Sequence, residues 1–332
     1  MSKSPMTRRS LIKALATSTV AVGLGAAVAP AASAAPGPNA AGPAAAAGNG
    51  NANGRLIPPN KIGIQLYSIR DKVSSLGFRA VFEELADIGY SEIEFAGYTQ
   101  GQVGAITPEQ IRQLLDDNGL TAVGSHVSLN ALRNDLPRQL EIANILGMPH
   151  VGTANAPTNI NTVAGYRAAA DEFNAWGAQA KAAGLKLYQH NHAGEFAFAT
   201  DQPNVRLYDV FFENTDPDTV FLEMDVYWAF VGQHLYPGFE PIDYVRNNPH
   251  RFPLLHLKDG ARNAANPNGF DIIEFDAGDL PYREFLRATK ARGTRYGIWE
   301  QDNAATTAVP PNPLDSFGNA RRSYTAMHGL RG

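Results

Sequence analysis

Residues 166–192 read YRAAADEFNAWGAQAKAAGLKLYQHNH, and this stretch carries the theme that the rest of the chain repeats. Residues 166–183 form an amphipathic helical run, and Gly184 stands where a left-handed C-terminal cap belongs. Residues 186–192 then read as a short strand that finishes in His190-Asn191-His192. An apolar strand with a polar end, a loop and an amphipathic helix closed by glycine make up one βα unit of a parallel sheet.

The theme recurs on both sides. Strands are expected at 62–67, 92–95, 121–126, 150–153, 186–192, 220–224, 254–257 and 296–300, eight in all. Helices are expected at 78–88, 108–118, 136–146 and 166–183, ending at Gly89, Gly119, Gly147 and Gly184. Thr107-Pro108 and Leu280-Pro281 look like helix starts, with proline in the first turn where its missing N–H costs nothing. Eight such units closing on themselves give an α/β fold, a single-domain (β/α)8 TIM barrel over residues 61–332. An open doubly wound sheet would bring a glycine-rich phosphate loop after its first strand, and Gln65-Leu66-Tyr67-Ser68-Ile69-Arg70 is nothing of the kind.

Ahead of the barrel the composition changes. Lys3, Arg8, Arg9 and Lys13 precede an apolar run from 14 to 29, with Ala32-Ser33-Ala34 as small residues for signal-peptidase cleavage. Thr7-Arg8-Arg9-Ser10-Leu11-Ile12-Lys13 fits a twin-arginine signal over residues 1–34, the alternative being an ordinary signal peptide. The apolar run, rich in Ala and Gly, falls short of the ~20 strongly apolar residues of a membrane span. Residues 35–60, dominated by Ala, Gly, Pro and Asn, are expected to be a disordered linker, and the product to be exported to the periplasm, cell surface or medium.

Losing the four leader cations and no anion moves the formal charge from -4 to -8. So acidic a chain suits neither nucleic acid nor an anionic membrane surface. With no cysteine, disulfides and thiolate chemistry are excluded, leaving His, Asp and Glu as metal ligands.

Chemistry in a barrel of this type sits at the C-terminal ends of the strands. There the fifth strand carries His190-Asn191-His192 and then Glu195, the sixth Glu223-Met224-Asp225, the seventh His256-Leu257-Lys258-Asp259 and the eighth Glu300-Gln301-Asp302. Inward-facing acids and histidines in an apolar barrel need a partner or a cation. One divalent ion (Mn, Mg, Co, Fe or Zn) would satisfy Asp225, His256 and Glu300; hydrogen-bonded strand caps are the plainer alternative. His126 either points into the same mouth or is structural; His150 is read as structural, and His234, His250 and His328 as surface. Lys258 either binds a substrate oxygen or pairs with Asp259. Tyr67, Tyr98, Phe196, Tyr227 and Trp228 are candidates to line a sugar-binding mouth, or else packing residues.

These motifs, namely Ile64-Gln65-Leu66-Tyr67-Ser68, Tyr188-Gln189-His190-Asn191-His192 with Glu195-Phe196, Asp225-Val226-Tyr227-Trp228, His256-Leu257-Lys258-Asp259 and Trp299-Glu300, resemble the sugar phosphate isomerase/epimerase group of the xylose isomerase-like barrel superfamily. That group includes xylose isomerase, ketose 3-epimerases, inosose dehydratase and endonuclease IV. The resemblance implies one divalent metal on Asp225, His256, Glu300 and a fifth-strand carboxylate. The chain departs from the Glu-Asn-His of epimerase sites, with His190 in the first position. Either His190 is the ligand, or Glu195 reaches back and frees His190 to move protons.

The implied activity is a metal-dependent isomerase or epimerase acting on a carbohydrate through an enediolate, with Glu300, His190, His192 and Lys258 as catalytic residues. Gln65, Tyr67, Glu94, His126 and Trp228 are expected to face substrate. Elimination by a dehydratase or keto-glycoside lyase is the rival chemistry, because the same intermediate can lose a β-substituent. A nuclease would need more ligands and a basic face, and a non-catalytic sugar-binding barrel would keep the aromatic mouth without a full ligand set. Export and the lack of a phosphate cradle favour an unphosphorylated substrate.

Overall fold

A computed structural model describes residues 54–290 and 295–332 of the protein. The expected signal peptide, residues 1–34, and the linker up to residue 53 lie outside the described residues. Residues 54–60, also expected to be linker, pack onto the barrel instead. Leu56 and Ile57 are buried, and the Leu56 N–H donates to Leu330 O at 3.2 Å, tying this segment to the C-terminus.

Ten strands and nine helices are named in chain order among the described residues: β1 (Ile62–Gln65), α1 (Arg70–Ile88), β2 (Glu92–Phe95), α2 (Pro108–Asp117), β3 (Thr121–Ser125), α3 (Leu129–Leu146), β4 (His150–Thr153), α4 (Val163–Ala182), β5 (Lys186–His190), α5 (Leu207–Asn214), β6 (Val220–Asp225), α6 (Val226–Leu235), α7 (Pro241–Asn247), β7 (Leu254–Leu257), β8 (Asp259–Arg262), β9 (Phe270–Ile273), α8 (Tyr282–Lys290), β10 (Tyr296–Trp299) and α9 (Ser316–Gly329). Eight of the strands form one parallel sheet in the order β3-β2-β1-β10-β7-β6-β5-β4. Its two end strands meet through a parallel bridge between His126 and Gly152, where the Val127 N–H donates to Gly152 O at 2.8 Å. The fold is therefore a (β/α)8 barrel with alternating helices outside it.

Local signals place the helices. Thr107 and Gln110 form a reciprocal capping box at the start of α2, which buries Ile111, Leu114 and Leu115. Helix α3 closes on Gly147, whose φ of 72° suits a residue without a Cβ and whose N–H reaches Ala143 O and Asn144 O. The expected helices at 78–88 and 136–146 are the second halves of α1 and α3, each broken by a non-helical residue, Gly77 and Asp135. The first strand is shorter than expected, because Leu66–Ile69 turn into a 3-10 helix capped by Gln65.

The main core lies between sheet and helices, and a second cluster plugs the barrel. Val123, Tyr188, Leu254 and Ile298 form that plug, with Phe221 and Tyr296 packed against it. Moving two residues toward the C-terminal end keeps a side chain on the same face of a strand. Each such step turns the interior polar: Tyr188 to His190, Phe221 to Glu223 to Asp225, Leu254 to His256, Ile298 to Glu300. Strand pairing aligns His190 with Glu223 and Asp225 with His256. One end of the barrel is thereby filled with ionisable groups.

Candidate active site

Two layers of polar side chains fill the C-terminal end. In the deeper one, Glu223 Oε2 lies 2.8 Å from His126 Nε2, 3.1 Å from His190 Nδ1 and 3.3 Å from His256 Nε2. Glu94 Oε2 lies 2.6 Å from His256 Nε2 and accepts from Gln65 Nε2 at 2.9 Å, while its Oε1 accepts from the Tyr188 hydroxyl. Burial alone would raise the Glu223 carboxyl, but His256, His126 and His190 together hold it well below its ordinary value. Burial and the Glu223 charge push Glu94 the other way, upward.

Nearer the mouth stand Asp225, Glu300, Lys258 and Asp302. Asp225 ends β6 and caps α6, its Oδ1 accepting from the Trp228 N–H at 2.9 Å. Its Oδ2 is left facing the site. Asn191 fixes this corner by exchanging two hydrogen bonds with the Asp225 backbone, at 3.1 and 3.2 Å. Glu300 Oε2 meets His256 Nδ1 at 3.0 Å and Lys258 Nζ at 2.9 Å, while no hydrogen bond is made to Oε1 among the described residues. Lys258 also reaches Asp302 Oδ1 at 3.0 Å. It does not pair with Asp259, whose carboxylate accepts from the Gly260, Asp276 and Gly278 N–H groups.

The charges follow from this packing. Burial would lower the Lys258 ammonium, but Asp225, Glu300 and Asp302 lift it well above its ordinary value. Burial would raise Glu300, but Lys258 and His256 hold it well below. His256, which burial alone would lower, is raised well above its ordinary value by Glu223, Glu94 and Glu300. Burial keeps His190 and His192 neutral, His192 going down to about 4. It lifts Asp225 to about 6 and also raises Asp302.

A cavity of about 520 Å³ opens above these groups, lined by Tyr67, His126, His190, His192, Glu300 and Asp302. Not every expected site residue reaches it. Gln65 and Glu94 are fully buried in the deeper layer, where they position His126 and His256 instead of facing the cavity. Phe196 and Tyr227 are packed in the core and Tyr98 packs against it, so the expected aromatic mouth is reduced to Tyr67; Trp228 does not line the cavity either, its ring standing 5.7 Å from that of His192. Glu195 lies apart from the ligand groups; its Oε2 accepts from the His192 N–H at 3.0 Å, and burial raises its carboxyl to about 7. His150 is buried, with Nδ1 2.9 Å from Val123 O.

Two sets of donor atoms lie within 4.8 Å of one another: His190, Asp225, His256 and Glu300, and, deeper, His126, His190, Glu223 and His256. The first set fits a divalent cation. It offers two imidazoles and two carboxylates, and among the described residues the buried Asp225 Oδ2 has no hydrogen-bond donor even though Lys258 Nζ is 3.2 Å away. Glu223 had no assigned role on sequence grounds, yet it is the hub of three histidines. Its place two residues before Asp225 on one strand was the available signal.

A sequence profile described as Xylose isomerase-like TIM barrel matches residues 82–315. The chain belongs to this family. Among solved structures, a sugar phosphate isomerase/epimerase from Parabacteroides distasonis is similar at 24% identity, covering 81% of this chain and 97% of that one with a TM-score of 0.64. A second from the same organism is 24% identical over 80% of this chain and 93% of its own, with a TM-score of 0.62. The probable 3-DHS dehydratase AsbF of Bacillus anthracis is 13% identical, covering 81% and 99%, with a TM-score of 0.56. At such identities the likeness is one of fold. No match was found among curated protein sequences. No helix among the described residues is long and apolar enough to cross a membrane.

Proposed function

We propose that this xylose isomerase-like barrel is a metal-dependent isomerase or epimerase that moves a proton at the carbon beside the carbonyl of a sugar or keto-sugar. The observation that carries the reading is a pair of bases on one cavity, a carboxylate held ionised at Glu300 and an imidazole held neutral at His192. A divalent cation on His190, Asp225, His256 and Glu300 would polarise the carbonyl and offset the charge of an enediolate. Glu300 Oε1 takes the proton from carbon and returns that same proton to the neighbouring carbon in isomerisation; in epimerisation the opposite face would receive a proton from His192 only after that imidazole has itself taken one up from water. Lys258, buried beneath the cavity and held protonated, positions Glu300 through its contact with Oε2. Among the described residues the cavity lining includes no lysine or arginine, which supports an unphosphorylated substrate.

Elimination is the second reading, favoured by Asp302. This cavity-lining carboxyl is raised by burial against the opposing pull of Lys258, which gives it a higher proton affinity than an ordinary aspartate beside a departing hydroxyl or glycosidic oxygen. Proton NMR in deuterated water with Mn-loaded protein and a panel of ketoses and 3-keto-sugars tests both. Deuterium entering recovered or epimerised sugar supports the first reading, and a dehydrated or cleaved product the second. No exchange with any sugar contradicts both.

We also propose that Thr7-Arg8-Arg9 directs export by the twin-arginine route. Replacing both arginines by lysine should leave the protein inside the cell; unchanged export would contradict this.

A further inference from the structure

Directly after Lys258 the chain leaves the barrel in an antiparallel hairpin, β8 against β9, in which Gly260 pairs with Ile272 and Ala261 with Asp271. Asn266 holds its turn, donating to Phe270 O at 2.9 Å and to Asp271 Oδ1 at 2.7 Å. Asn303, next to the cavity residue Asp302, ties the hairpin to the barrel by donating to Ile272 O at 3.1 Å. Between hairpin and barrel lies a groove of about 480 Å³, lined by Tyr227, Trp228, Asn268, Phe270, Ile272 and Asn303 among others.

Trp228, which lines this groove, stands beside His192, which lines the mouth cavity. The Trp228 ring also lies 5.5 Å from Lys258 Nζ. The indole Nε1–H is buried and has no hydrogen-bond partner among the described residues. The one charged lining residue is Asp271, whose two oxygens already accept from Asn263 and Asn266. Asn268 offers a side-chain amide that makes no hydrogen bond among the described residues. The half-buried Trp228 ring and the Asn268 amide match the C–H face and hydroxyls of a sugar ring, with the buried Tyr227 and Phe270 packed behind them. With no cation, the groove is a poor receptor for phosphate or carboxylate.

We propose that this groove is a second sugar subsite, so that the substrate is a glycoside whose reacting ring lies in the mouth cavity and whose next ring lies against Trp228 and the hairpin. This rests on the carbohydrate reading above. Replacing Ile272, outside the ionisable cluster, by Trp would fill the groove from the hairpin side, and Asn268→Ala would remove the free amide without adding bulk.

Titration calorimetry of the Mn-loaded full chain with D-glucose, D-fructose, maltose, cellobiose and trehalose tests the subsite. At least one disaccharide should bind about tenfold more tightly than either monosaccharide, as a second ring worth about 1.4 kcal/mol requires. Ile272→Trp should abolish that gain and Asn268→Ala should shrink it, with monosaccharide affinity unchanged in both. If Ile272→Trp does not fold, Asn268→Ala alone decides. Monosaccharide binding with no disaccharide preferred, or a preference that survives the variants, overturns the subsite and leaves the carbohydrate reading standing. Native protein that binds none of the five overturns both.

Discussion

The Lys258 ammonium lies 2.9 Å from Glu300 Oε2, an internal cation beside a carboxylate of the candidate metal site. It is also 3.2 Å from Asp225 Oδ2. A bound divalent ion and Lys258 would draw on the same two acids and repel each other in a site with little water. Lys258→Met should therefore bind Mn about tenfold more tightly, a change of about 1.4 kcal/mol, while losing turnover. Competition with a chelating dye reads the affinity; weaker Mn binding in the variant would contradict the arrangement.

Glu223 Oε2 serves three imidazoles at once, and Oε1 has no hydrogen-bond partner among the described residues. Glu223→Gln removes the charge that offsets His126 and His256 in the buried layer. Breaking such a pair from one side costs about 3–5 kcal/mol, and urea unfolding should show a loss of that order. A variant as stable as the native protein would mean that the histidines do not depend on this carboxylate.

Glu195 gives a pH signature. Its folded pKa, about 7, lies above the ordinary 4.5. Between those values the folded protein keeps a proton that the unfolded chain has released, so stability falls as pH rises from 4.5 to about 7. Glu195→Gln removes that dependence. Its thermal midpoint relative to native should rise from pH 5 to pH 8, by about 2–3 kcal/mol in stability. Mn affinity should stay unchanged, because the Glu195 carboxylate sits on the His192 N–H. A loss of metal in this variant would instead make Glu195 a ligand.

Tyr188 fills the barrel between Gly124 and Gly152, and its hydroxyl reaches Glu94. A methyl group at Gly152 would run into the Tyr188 carbonyl and ring. Gly152→Ala should cost about 1–3 kcal/mol by overpacking, measured by the same unfolding experiment. A neutral result would mean that the plug is loosely packed.

Much of this was legible in the sequence because strand ends advertise themselves. Apolar or β-branched residues, Ile93 and Phe95, Val151 and Thr153, Leu254, Leu255 and Leu257, mark the runs at 92–95, 150–153 and 254–257, which match β2, β4 and β7 residue for residue. Asp225, His256 and Glu300 follow from their place at such ends. Hairpin β8–β9 was not foreseen, since Asp259-Gly260-Ala261-Arg262 has neither alternation nor β-branched residues; Asp259 holds it from outside, through the Asp276 and Gly278 N–H groups. The deeper layer was also hidden. Gln65 and Glu94 carry no local mark that they look inward at His126 and His256, because that contact depends on barrel closure across strands far apart in sequence.

The central claim is a divalent metal held at the ends of β5, β6, β7 and β10, and Asp225→Asn tests it most directly. Asparagine keeps a side-chain oxygen to cap α6 through the Trp228 N–H while removing the charge that faces the site. Elemental mass spectrometry after incubation with Mn, followed by desalting, should find about one equivalent in the native protein and almost none in a folded Asp225→Asn variant. Native protein that retains no metal after incubation with Mn, Mg, Co and Zn, or a variant that retains a full equivalent, would contradict the account.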